Sequence, residues 1–184
     1  MRSFLDAETG VFWDVEDFPV TDRVLFDQNI RLALANAGYY GKVSITAYGD
    51  KKREDEYKVA GITFVPGGSK RARMHRMLVD MHFWGVANRA LLRNMMVLAK
   101  DIMPDEDVYQ TQFEHYLQVM TMRCWNVVLA VPDDYQLERL PCQVNWTVWR
   151  WSDLLAGGHP LDDSLVYQQP PLEEIDRVLS VENK

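Results

Sequence analysis

Five short apolar runs, separated by stretches with room for a helix, constrain this chain more than any other feature. Residues 11–13, 43–48, 62–65, 94–99 and 125–131 read as strands, rich in β-branched and aromatic side chains and bounded by glycine, proline or acids. Between them lie helical patterns. One covers residues 25–37 and is closed by Gly38. Another covers 71–87, where Met74, Met77, Leu78 and Met81 step by three and four, and a third covers 108–122. A sixth strand is expected at 144–149, then a short last helix capped by Ser152. Strands alternating with helices give a parallel sheet with crossover helices. The expected fold is therefore α/β, a three-layer α/β/α sandwich with a mainly parallel central sheet. It spans residues 8–157, with 125–131 near the centre and 158–184 as a loose tail.

Composition narrows the function. The 184 residues suit one domain, and 47% are apolar, which supplies a core. No apolar run reaches the ~18 residues a membrane helix needs. The acidic start, Asp6-Ala7-Glu8, fits neither a signal nor a transit peptide. Cys124 and Cys142 lack metal-ligand spacing and read as thiols of a reducing compartment. With 20 basic residues against 27 acidic ones, the net charge is −7. A protein that binds nucleic acid by phosphate neutralisation alone is usually basic. That class is disfavoured, whereas an acidic site acting on nucleic acid is not.

Ligands of open parallel sheets collect at the carboxyl ends of the strands. Three strand readings end there in an acid: Asp14, Asp50 and Asp101. A fourth carboxylate, Asp80, interrupts the apolar run Met77-Leu78-Val79-Asp80-Met81. Carboxylates converging from several elements suit Mg²⁺ or Mn²⁺, hard cations that take oxygen ligands. Ordinary ion pairing is the competing reading for Asp80, because Arg76 lies four residues earlier and Arg73 seven. The basic run Lys70, Arg71, Arg73 and Arg76 reads either as an RNA-backbone track or as a solvated helix start. Trp84, Trp146, Trp149 and Trp151 read as core or as base-stacking surfaces. His75, His82, His115 and His159 lack metal-ligand spacing.

The run Val11-Phe12-Trp13-Asp14-Val15-Glu16-Asp17-Phe18-Pro19-Val20 resembles the opening of NYN domains, which are PIN-like ribonucleases. Further matching segments follow in order: Asn29-Ile30-Arg31, 43–50, Val65-Pro66-Gly67-Gly68, 77–84 and 125–132. The resemblance covers about residues 10–151 and is nearest the plant-type meiosis-arrest female (limkain-b-like) branch. It implies a metal-dependent RNA endonuclease acting in RNA turnover and gene-expression control. Asp14, Asp80 and Asp101 would be the catalytic and metal-binding acids, holding Mg²⁺ or Mn²⁺. Single-stranded RNA would be the substrate, and RNA-processing complexes would supply protein partners. The expected location is the cytoplasm, with the nucleus and peroxisome association also admitted.

Three positions depart from the family pattern. Asp17 stands where the family has Asn, Ala99-Lys100 replaces its Ser-Gly, and Gln112 takes the place of a second acid. Asp17, Asp105 and Asp107 are therefore auxiliary acids, the latter two within an apparent insertion at 102–111. The alternative is a catalytically degenerate module that binds RNA or protein without cutting. A plain nucleotide-binding α/β protein is a third reading.

Overall fold

The computed structural model describes residues 3–50, 54–87, 92–100, 108–140 and 146–162, the side chains of 108–112 excepted. Six strands form one sheet: β1 (Glu8–Asp14), β2 (Val43–Gly49), β3 (Thr63–Pro66), β4 (Arg93–Leu98), β5 (Asn126–Val131) and β6 (Thr147–Arg150). Their order is β3-β2-β1-β4-β5-β6, and every pairing is parallel. The helices are α1 (Arg23–Asn36), α2 (Glu54–Val59), α3 (Lys70–Val86), α4 (Val108–Met122) and α5 (Trp151–Leu155). The chain runs outward from β1 through β2 to β3, then returns to the other side of β1 as β4. That reversal creates a topological switch point between β1 and β4.

Burial on both faces explains the unbroken apolar runs. Alternate β1 residues serve two cores: Val11 and Trp13 face α1, α2 and α5, whereas Phe12 faces α3 and α4. Met77 and Met81 carry α3 into the second core, and Leu117 and Met120 carry α4. Helix α3 runs opposite to the strands. Its first turns place Arg73 on Asp14 at the carboxyl end of β1, and its last turn lays Trp84 on Gly10 near the other end. A β-carbon at Gly10 would sit 2.7 Å from the Trp84 indole, so the close approach of helix to sheet requires glycine there.

The sheet is parallel throughout. β5 lies one strand from the edge, and β1 and β4 take the centre. Arg150, rather than Ser152, stands at the N-cap of α5, because Asp133 accepts both the Ser152 amide (3.0 Å) and its hydroxyl (2.9 Å). Helix α2 has no counterpart among the sequence expectations. Part of the expected tail is tied down: Leu161 N–H donates to Val148 O, and Trp149 Nε1 donates to Gly158 O. Residues 163–184 and Cys142 lie outside the described residues.

Candidate active site

Asp14 is the last residue of β1 and is fully buried. Its Oδ1 accepts the backbone N–H of Glu16 (3.0 Å) and of Asp17 (3.3 Å), so the carboxylate shapes the turn that leaves the strand. Its Oδ2 accepts Arg73 Nε at 2.9 Å. Arg73 is itself only 8% exposed, and its Nη1 donates to Gly68 O. A carboxylate without solvent costs several kcal/mol unless paired and hydrogen-bonded, and here it is both.

Asp17 follows on the same turn. Its Oδ1 pairs with Lys70 Nζ at 3.1 Å, and its Oδ2 accepts the Lys100 backbone N–H at 2.8 Å. Asp17 thus links the ends of β1 and β4 across the switch point. Its carboxyl is pushed above the ordinary range, first by burial and then by the Asp14 charge, against opposing contributions from the Lys100 amide and Lys70. The Lys100 ammonium lies over the Phe18 ring, 5.5 Å from its centroid.

Asp80 occupies a different place. Arg76 Nε donates to both of its oxygens, at 3.0 and 2.9 Å, and Tyr48 Oη donates to Oδ2 at 3.2 Å. At 1.5 Å per residue, Asp80 lies about 10 Å further along α3 than Arg73. The described structure therefore holds Asp14 and Asp80 in separate ion pairs, and the competing sequence reading of Asp80 as the i,i+4 partner of Arg76 is the one it displays. Burial and the Asp80 charge also raise the Tyr48 phenol above its ordinary range.

Of the basic run expected as an RNA track, Arg73 is buried and turned inward against Asp14. Lys70, Arg71 and Arg76 remain on the accessible side. The tryptophans belong to the packing. Trp146 and Trp149 are buried, Trp151 lies on Phe18, and Trp84 is sandwiched between Gly10 and Arg93. Asp101, Asp105 and Asp107 lie outside the described residues.

Mg²⁺ or Mn²⁺ needs several oxygen donors with free lone pairs. Both Asp14 oxygens and both Asp17 oxygens already accept hydrogen bonds, two of them from cationic side chains. Among the described residues no three His, Cys, Asp or Glu side chains come together as a ligand set. As arranged, Asp14 and Asp17 are engaged with Arg73 and Lys70, and the described residues by themselves do not complete a ligand set for a divalent ion.

Sequence reasoning missed the Arg73 and Lys70 counter-ions and the cleft beside them. Val15, Glu16, Pro19, Val20, Arg23, Asp50 and Tyr57 line this cleft of about 350 Å³. Glu16 lies two residues beyond the end of β1 and Asp50 one beyond the end of β2, and Asp50 N–H donates to Glu16 Oε1 at 3.3 Å. Asp50 at a strand end was the one signal for it.

The NYN domain family model matches residues 8–134. No curated protein matches the chain. With more than half of its length matched, the chain belongs to the NYN domain family, within the PIN-like nuclease superfamily.

Proposed function

We propose that this chain is an RNA-directed nuclease domain whose reaction centre is the carboxyl edge around Asp14 and Asp17. One observation carries the reading: in an NYN-family chain, a fully buried aspartate ends the central strand beside the switch point, with a second carboxyl on its turn. The proton affinity of Asp17, raised by burial and by the Asp14 charge, favours it as the group that exchanges a proton with a ribose hydroxyl or a leaving oxygen. Arg73 and the two turn amides hold Asp14 rigidly. Lys70, Arg71 and Arg76 would meet the phosphate backbone. PIN-like nucleases generally work with divalent metal ions. In this chain Mg²⁺ or Mn²⁺ would need a further carboxylate, from Asp101, Asp105 or Asp107, and release of Lys70 from Asp17. The meiosis-arrest female branch, action in RNA turnover and a cytoplasmic location belong to the same proposal, supported by the resemblance of residues 10–151.

The test is cleavage of an end-labelled single-stranded RNA by the native chain and by Asp14→Asn and Asp17→Asn, with Mg²⁺, Mn²⁺ or chelator. The expected result is slow native cleavage, lost in Asp14→Asn and reduced by roughly 10²-fold or more in Asp17→Asn, the scale of a missing acid–base group. Equal cleavage by native protein and Asp14→Asn overturns the assignment. RNA binding without any cleavage favours the non-cutting module.

A further inference from the structure

The cleft between the β1–α1 turn and the end of β2 has chemistry of its own. It opens beside the proposed reaction centre, since Glu16 is two residues beyond Asp14 and Asp50 directly follows β2. Its apolar lining is Val15, Pro19, Val20 and Tyr57. Tyr57 is fixed from two directions: it stacks on Phe64 at 4.8 Å and 27°, and the Arg23 guanidinium lies over its ring at 5.3 Å. Arg23 Nη1 is held by Thr21 O at 2.7 Å and by Glu56 at 3.1 Å. Its Nε–H has no acceptor among the described residues. The cleft is therefore lined by a guanidinium fixed over the buried Tyr57 ring, by two carboxylates and by an arginine whose Nε–H lacks an acceptor among the described residues.

This combination selects among ligands. Two carboxylates disfavour a phosphate. At about 350 Å³ the space lies at the small end of ligand pockets and suits a single nucleoside. Nucleobases stack on aromatic or guanidinium planes, and single-stranded RNA is read through such splayed bases. Among the four bases, only guanine presents two adjacent N–H donors on one edge, those of N1 and the exocyclic amine, next to an acceptor, O6. Carboxylates accept the first set, and an arginine N–H answers the second. Uracil would turn carbonyl oxygens towards the carboxylates.

We propose that this cleft is a guanine-selecting base subsite, which seats one nucleotide of the RNA whose backbone passes Asp14 and Asp17. Glu16 accepts from the guanine amide edge, and Arg23 donates to O6. This rests on the proposed nuclease reading, and the experiment separates the two. Guanosine, inosine, adenosine and cytidine are titrated into the full chain while the Val15 and Val20 methyl signals are followed by NMR. Guanosine is expected to shift these methyls and to bind about tenfold tighter than inosine, which lacks the exocyclic amine. Glu16→Gln should erase that difference. Val20→Trp, which fills the cleft, should abolish guanosine binding while its circular dichroism stays native. A parallel assay measures binding and cleavage of matched RNAs with guanosine or inosine at one position. Guanosine that leaves the methyls unmoved, or that binds no better than the other nucleosides, overturns the subsite whatever the RNA assay gives. Guanosine selectivity that Glu16→Gln removes supports it even if no RNA is cut, and in that case only the nuclease reading falls.

Discussion

Two arginines on one helix do unlike work, and the difference is burial. Arg73 and Asp14 are both shielded from water, whereas Arg76 is 59% exposed beside Asp80. Removing one partner of a buried pair strands the other charge, at a cost of ~3–5 kcal/mol. Arg73→Ala should therefore lower the urea midpoint strongly, and Arg76→Ala should leave it close to native. Equal effects would contradict the inward placement of Arg73. Asp17 gives a pH prediction of opposite sign to the usual aspartate. Its folded-state pKa is raised, so above its unfolded pKa the native state retains the proton more than the unfolded chain does. Stability from this group is greatest at low pH and falls as pH rises through the raised folded value. Urea melts of native protein and Asp17→Asn between about pH 4 and 7 should show the native chain losing stability relative to the variant as pH increases. Little of this was legible in the sequence. Asp14 stood out as an acid at the end of an apolar run, but its partner lies 59 positions away, across two crossovers. No local pattern links residues brought together by topology.

Elements were far easier to read than partners, because strands buried on both faces must be apolar without interruption. β2 and α4 lie within a residue of their expected bounds, since a β-branched run and a three-and-four periodicity leave few alternatives. Helix α2 escaped because it is six residues long, begins with three acids and buries only Tyr57. The fit of α3 to the sheet rests on small residues at its crossing points. A β-carbon on Gly85 would fall inside the Trp125 indole, and one on Gly10 would press on Trp84. Gly85→Ala should thus cost ~1–3 kcal/mol by overpacking despite alanine's better helix propensity. Gly61→Ala is a useful contrast: nothing lies within 4 Å of its β-carbon, so its cost arises only from the backbone, at φ +72°. Chemical denaturation of the two variants separates crowding from backbone strain. Near-UV circular dichroism, sensitive to the Trp125 environment, should change for Gly85→Ala alone.

At the scale of the whole molecule, charge sets what RNA binding can look like. The chain carries −7 overall, and the accessible cations beside the candidate site already face acids: Lys70 meets Asp17, and Arg76 meets Asp80. A phosphate must compete with those carboxylates, so attraction at long range is weak and contacts are few. Each phosphate neutralised on a single strand adds ~0.7 to the slope of log affinity against log salt. Arg73 is removed from the count by its burial against Asp14. The double variant Arg71→Ala, Arg76→Ala should therefore reduce the slope by at most about 1.4, from two contacts. Lys70→Ala carries two effects of the same sign, since it deletes a contact and leaves Asp17 without its Lys70 counter-charge to repel the strand. It should weaken binding more than either arginine variant alone. Fluorescence anisotropy of a labelled single-stranded RNA across a salt series measures all of these. An unchanged slope in the double variant would move the RNA track away from the start of α3. A drop well beyond two contacts would mean that the acids, freed from their arginine partners, repel the strand as strongly as the cations had drawn it.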